Sequence, residues 1–364
     1  MSVRVPFNNL HLLEESDAVR QSVARVIDRA WFVLGPEVEA FEQEFAAASG
    51  APHAVGVGNG TDAIALCLRA LGIGPGDEVI TTPLSAAYTA IAIVMAGARP
   101  VFADIDPERL TLDPRAAETA ITGRTAALLP VHLYGQAADA AAFADIASRK
   151  GLALVEDCCQ AHLATCGGRP VGTFGAAGAF SFYPTKNLGA LGDGGAVITR
   201  DPALAARIAR LRNGGQADRY RHVEMGINSR LDEMQAAILR SRLPYLRHRT
   251  EERRARARDY RTLLAGAAVT VPPEIDPGHV YHLFPIRAQN RKALQDRLSA
   301  SGIETLVHYP TPIFQQPAFT VPEPPHCPQA VRAANEVLSL PLYPGLSPEA
   351  VATVAAAVRK ESST

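Results

Sequence analysis

Between His53 and Arg200, short apolar runs alternate with longer stretches whose apolar residues recur at helical spacing. The short runs fall at 54–57, 79–82, 100–104, 126–132, 153–156, 179–182 and 196–199, which predicts seven strands. Strands separated by helices are the mark of an α/β domain with a mainly parallel sheet. Upstream, Gly35-Pro36 precedes Val38, Phe41 and Phe45, spaced for one face of a helix that starts at the proline. Downstream, a long amphipathic helix is expected over 228–246, leading into an arginine-rich helix. Beyond it the pattern changes: runs at 280–286 and 304–308 read as strands, and 291–301, 329–337 and the stretch from Pro348 read as helices. This predicts a large domain over residues 1–245 and a small α+β domain over 246–364. The proline-rich stretch 322–328 reads as a rigid loop.

Composition narrows the picture. A chain of 364 residues with 47% hydrophobic residues can bury cores for two domains that share a cleft. It contains no run of about 18 apolar residues, so no membrane span is expected. The first thirty residues carry Glu14, Glu15 and Asp17 without an apolar leader, which points to a cytoplasmic protein. A net charge of −1 gives no global pull toward nucleic acid or anionic lipid. The basic run 247–261 also carries Glu251, Glu252 and Asp259, and reads as a solvated or subunit-facing helix surface. Five cysteines suit reduced thiols better than a disulfide framework. Cys158, Cys159, His162 and Cys166 are close enough in sequence to suggest a metal, but adjacent cysteines make a poor tetrahedral pair, and no metal is expected.

Three segments could carry chemistry. Val57-Gly58-Asn59-Gly60-Thr61-Asp62-Ala63 is a strand end, a small-residue turn and a helix start, where free N–H groups and the helix dipole can receive a phosphate. A tight βα loop needs glycine in any case, so that segment alone decides nothing. It lacks the Walker lysine and the dinucleotide glycine spacing. In Leu154-Val155-Glu156-Asp157, an acid ends an apolar strand. A buried aspartate there is either a helix N-cap or the partner of a cation such as a protonated pyridine nitrogen. Lys186, in Phe180-Ser181-Phe182-Tyr183-Pro184-Thr185-Lys186-Asn187, has apolar surroundings that would favour a nucleophilic amine, though a shielded surface lysine fits too.

Taken together, in this order and at these distances, the segments resemble the layout of fold-type I pyridoxal phosphate (PLP) enzymes. Along nearly its whole length the chain resembles the DegT/StrS family of sugar aminotransferases. The resemblance rests on Gly-Asn-Gly-Thr-Asp-Ala (58–63), Pro-Val-His-Leu-Tyr-Gly (130–135), Glu-Asp (156–157), Phe-Ser-Phe-Tyr-Pro-Thr-Lys-Asn (180–187), Gly-Asp-Gly-Gly (192–195), Asn-Ser-Arg-Leu-Asp-Glu-Met-Gln-Ala-Ala (228–237) and His-Tyr-Pro (308–310). It implies that Lys186 forms a Schiff base with PLP and shuttles the proton. It further implies that Asp157 pairs with the pyridine nitrogen and that Gln160 lies near the phenolic oxygen. Gly60, Thr61 and Ser181 would hold the phosphate, with Asn228 reaching in from a second subunit of a homodimer. Tyr183, Arg219, His308 and Tyr309 are implied for the sugar nucleotide, the last three as candidates to come from the partner chain.

The resemblance also implies ping-pong transfer from an amino acid, glutamate, to a nucleotide-linked keto-sugar. The wording at 133–136 and 182–184 is most similar to enzymes acting at C3 of dTDP-3-keto-6-deoxyhexoses; C4 aminotransferases share the frame. Lys186 counts against a sugar 3-dehydratase, and the Asp157, Ser181 and Lys186 set counts against a PLP-binding regulator without turnover. One departure stands out. Relatives place an aromatic residue over the cofactor ring after the second strand, where this chain has Ser85-Ala86-Ala87-Tyr88. Ala86 aligns with that position and Tyr88 lies two residues later; either the turn is reshaped and Tyr88 stacks, or the small Ala86 side chain covers the ring, and Tyr88 is the preferred of the two.

Overall fold

A computed structural model describes residues 3–320 and 323–362. The strands are β1 His53–Val57, β2 Glu78–Thr81, β3 Arg99–Phe102, β4 Thr125–Leu129, β5 Ala153–Asp157, a two-residue ribbon of β6 Thr165–Cys166 and β7 Arg169–Pro170, then β8 Ala177–Ser181 and β9 Gly195–Thr199. Seven of them form one sheet in the order β1-β9-β8-β5-β4-β2-β3. All seven predicted strands are present in it. The pairs among β8, β5, β4, β2 and β3 are parallel, and β9 is antiparallel to both β1 and β8. Six strands therefore point the same way, and β9 starts where the others end.

Helices clothe the sheet as the two-residue period of its strands requires. One face carries Val57, Val79, Ala127, Leu129, Val155, Ala179 and Val197, packed with Ile64, Leu66 and Leu68 of α3 Gly60–Ala70 and Ile93 of α4 Tyr88–Met95. On the opposite face Phe180, Ala196 and Ile198 meet Val38, Phe41 and Phe45 of α2 Pro36–Ala48, which follows α1 Ser16–Arg29. Leu128 and Leu154 pack with Phe143 and Ile146. Those two phenyl and isoleucyl side chains belong to α6 Ala140–Lys150, preceded by α5 Pro114–Thr119.

After α7 Pro202–Leu211 comes a short exposed ribbon, β10 Gln216–Asp218 and β11 Arg221–His222. The helix expected over 228–246 starts later, as α8 Glu233–Arg242, because residues 228–232 run extended to meet other elements. A 3-10 turn containing Pro244 then separates it from the arginine-rich α9 Leu246–Leu263. A second core joins Tyr260 and Leu264 to Phe284, Ile286, Leu338, Leu340, Val351, Val354 and Val358, and takes in Val5 from the N-terminal segment.

Two expectations for this region are corrected. The run 280–286 contributes a strand only as β12 Phe284–Arg287, since Val280 turns aside to donate to the Gly135 carbonyl at 2.9 Å. The run 304–308 is no strand; it makes a single bridge, Leu306 to Ser339. The true mate of β12 is β13 Val337–Leu340, directly after α11 Pro328–Glu336, where a polar helix end hid the start of a short buried strand. The helices α10 Arg291–Ala300 and α12 Pro348–Ser362 match the pattern. Part of the stretch 322–328 lies outside the described residues.

Candidate functional site

The carboxyl ends of the co-directional strands are where α/β sheets present ligand-binding loops, and every segment singled out for chemistry converges there. Gly195, the first residue of β9, pairs with both Val57 and Ser181, so the turn after β1 and the end of β8 lie side by side. Asn59 caps α3 by accepting from the Asp62 N–H at 2.9 Å. The Gly60 and Thr61 N–H groups head the helix without intrahelical partners, in the field of its positive end. Gly60 is required by contact: a Cβ there would stand 2.7 Å from Cys159 Sγ and 2.8 Å from Ser181 Cβ. The Ser181 hydroxyl accepts from the Tyr183 N–H at 3.3 Å and keeps its own proton to donate.

Asp157 ends β5 and is buried. Its Oδ1 accepts from the Cys159 N–H at 3.0 Å and its Oδ2 from the Thr89 hydroxyl at 2.7 Å. Those bonds fix the carboxylate and leave lone pairs for a further donor. Among the described residues no cation forms an ion pair with it, and it begins no helix, so it does not serve as an N-cap. Gln160 is oriented by the Tyr134 N–H, which donates to its Oε1 at 2.8 Å, and so points its Nε2 at the Tyr309 hydroxyl, 3.0 Å away. The Tyr134 hydroxyl in turn donates to the His308 carbonyl. Gly135 lets residues 280–282 pack against this turn, since a Cβ there would stand 2.8 Å from the His282 backbone nitrogen. Within one chain, His308 and Tyr309 thus lie beside Tyr134 and Gln160.

The sequence holds four lysines, and Lys150, Lys292 and Lys360 are exposed. Lys186 is not: burial pushes its amine below the ordinary lysine range, partly offset by Cys159 and Asp157 nearby. His308 feels that amine, and burial together with Lys186 brings it down to about 4; its Nδ1 lies 3.0 Å from the Ser339 hydroxyl. The Phe7 ring stacks on His308 at 5.7 Å, so the N-terminal segment helps to wall the pocket.

Other predicted residues lie further out. Tyr183 is exposed, and Arg219 and Asn228 are exposed on the β10–β11 side, with the Arg219 guanidinium 5.1 Å from the Tyr220 ring centre. Tyr88 opens α4 and is 65% exposed. The residue of that turn directed at Asp157 is Thr89, and Ala86, whose carbonyl accepts from the Thr89 N–H at 3.4 Å, is its neighbour one helical turn back. Tyr88 sits about 100° around the helix from Thr89. The sequence reading missed Thr89 altogether; a threonine in an apolar helix start gives no signal until the fold brings it to the acid.

The motif 228–237 has a structural logic of its own. The Ser229 hydroxyl accepts from the Gly58 N–H and donates to Asp62, Leu231 packs against Gly56, and Gln235 accepts from the Leu191 N–H. The Glu233 carboxylate is buried and takes the N–H groups of Gly35, Glu37 and Val38, capping α2 from a distance.

His132, Glu156 and Cys158 bring three potential metal-ligand atoms within 4.8 Å of one another. His132 and Glu156 are already bonded to their surroundings. Glu156 accepts from the N–H groups of Gly172, Phe174 and Gly175 and contacts His132 Nε2 at 3.1 Å, while His132 Nδ1 accepts from the Ala138 N–H. This is a clamp between loops.

The set fits PLP. Gly60, Thr61 and Ser181 offer an anion cradle too tight for a larger residue at 60, Asp157 offers a fixed carboxylate, and Lys186 offers a desolvated amine. When bound, the cofactor supplies an electron sink. The model of the DegT/DnrJ/EryC1/StrS aminotransferase family matches residues 14–359. A dTDP-3-amino-3,4,6-trideoxy-alpha-D-glucose transaminase of Streptomyces venezuelae is 48% identical over 98% of this chain and 96% of its own. A pleiotropic regulatory protein of Geobacillus stearothermophilus is 47% identical over 93% of this chain and 94% of its own. Among solved structures, S. venezuelae DesV in complex with a ketimine intermediate superposes with a TM-score of 0.96 at 47% identity, covering 100% of both chains. The chain belongs to the DegT/DnrJ/EryC1/StrS aminotransferase family, whose members use PLP.

Proposed function

We propose that this enzyme moves an amino group from L-glutamate to C3 of a dTDP-linked 3-keto-6-deoxyhexose. The observation that carries the reading is one desolvated lysine, Lys186, close to a carboxylate already fixed by two donors, with Cys159 between them and the tight turn at Gly60. Each part has a task. Lys186 holds the cofactor aldehyde and moves a proton at the carbon that gains or loses nitrogen. Asp157 binds the ring nitrogen and keeps it protonated, and Gln160 lies beside the phenolic oxygen. Gly60, Thr61 and Ser181 grip the phosphate. Ala86, one helical turn from Thr89, would cover the ring with a small side chain, and Tyr88, which is exposed, would stay clear of it.

The preference for a dTDP sugar and for C3 draws support from the similarity to the S. venezuelae transaminase and from the wording at 133–136. Tyr183, His308 and Tyr309 form the sugar side of the pocket. Arg219, on an exposed ribbon, and Asn228 act across a homodimer, the former on the diphosphate, which suits a guanidinium fork.

The test has two halves. Adding L-glutamate to the holoenzyme should convert the visible band of the bound cofactor to that of its amine form. A keto-sugar panel, with dTDP and UDP carriers and ketones at C3 and C4, is then followed by mass spectrometry. The reading expects a gain of amine on the dTDP 3-ketone at least tenfold faster than on the 4-ketone. An unchanged band would favour a cofactor-binding regulator, the reading that the similarity to the Geobacillus protein raises.

A further inference from the structure

The Asp157 carboxylate is gripped from two directions. The Cys159 N–H belongs to its own loop, but the Thr89 hydroxyl comes from a different element and reaches across 68 residues of sequence to Oδ2 at 2.7 Å. Thr89 is buried, and the helix that carries it is locked by Ala90, Ala92 and Ile93, also buried. A threonine on a helix has two χ1 rotamers open to it, and the bond to Asp157 holds Thr89 in the one that presents its hydroxyl to the carboxylate. A bond of this length from a hydroxyl to a carboxylate is of the charge-assisted kind.

We propose that Thr89 is a positioning residue for the cofactor: its hydroxyl fixes the rotation of the Asp157 carboxylate so that an oxygen faces the pyridine nitrogen. The inference rests on the PLP reading of the site and deepens it. Two fixed donors, one on each oxygen, define the plane of the carboxylate; one donor alone leaves it free to turn about χ2, whose well is broad. A ring nitrogen facing a turned carboxylate holds its proton less firmly and withdraws fewer electrons from the rest of the cofactor. The group on which the second donor sits, α4, begins directly after the loop whose Pro83 carbonyl accepts from the Ile313 N–H at 2.9 Å.

The test uses purified holoenzyme and three proteins: wild type, Thr89→Val, which keeps the shape and removes the hydroxyl, and Thr89→Ser, which keeps the hydroxyl. PLP affinity is measured by titrating the apoenzyme, the visible cofactor band is titrated with pH, and the melting temperature of each apoenzyme is recorded. Thr89→Val should bind PLP at least tenfold more weakly and titrate at higher pH than wild type. Thr89→Ser should return both values to near those of wild type. A Val variant that matches wild type in affinity and titration overturns the proposal. So does equal impairment of both variants with an unmoved titration and a lowered apoenzyme melting temperature, which is the pattern of a packing residue. If wild type itself fails to take up PLP, the cofactor reading falls instead.

Discussion

At Lys186, burial and two nearby acidic groups act in opposite senses, and the net effect is an amine that loses its proton more readily than a lysine in water. The same desolvation acts on His162, which is fully buried between Phe180 and Phe182 and brought down to about 3. Its unfolded-state value lies near 6.5, so the unfolded chain binds a proton that the native chain refuses between those two values. Native stability is therefore full above pH 6.5 and is lost as pH falls toward 3, by roughly 2 kcal/mol at pH 5 from this residue alone. Melting temperatures measured from pH 7 to pH 5 should fall less steeply in His162→Phe than in wild type; parallel slopes would show that His162 titrates normally. A second expectation concerns the ring. Tyr88→Ala should leave PLP affinity within about threefold, while Ala86→Leu should weaken it at least tenfold in the same titration. Lys186, Asp157 and Ser181 were legible as candidates because their chemistry is written in their own segments. Thr89 was not, since its meaning comes only from an acid 68 residues away, and the choice between Ala86 and Tyr88 depended on where a helix begins.

Elements bring these residues together through their ends. The turn after β1 serves because Asn59 caps α3 through its own side chain and frees the first N–H groups. The start of α2 is served by Glu233, far away in sequence, which meets three N–H groups with one carboxylate. Glu233→Ala should cost about 3 kcal/mol, since it leaves buried donors without partners. Urea unfolding would register this, whereas a loss below about 1 kcal/mol would mean that water replaces the carboxylate. The strands of the sheet could be read from the sequence because each is a short, nearly continuous apolar run, as parallel strands buried on both faces must be. Prediction failed in the smaller core, where β13 is four residues long and follows α11 without a break, and where 304–308 has a strand's composition but only one bridge.

For the molecule as a whole, several large apolar side chains stand on the surface. Trp31, Phe32, Tyr220, Val223 and Met225 are all exposed, Met225 to 84%. Large exposed apolar groups of this kind mark association surfaces, and a homodimer that buries them is our reading. Light scattering should give the mass of two chains. Complementation probes the sharing of sites: Lys186→Ala mixed with Asn228→Ala should regain activity through hybrid dimers, provided that Asn228 acts on the partner's cofactor. No recovery after subunit exchange would place each site within one chain. Among the described residues, no helix is long and apolar enough to cross a membrane. The central claim is the assignment of Lys186, and the most direct measurement is reduction of the holoenzyme with borohydride followed by peptide mass spectrometry. The pyridoxyl group should be found on Lys186; a label on Lys150, Lys292 or Lys360, or no label on a protein that turns over substrate, would contradict the account.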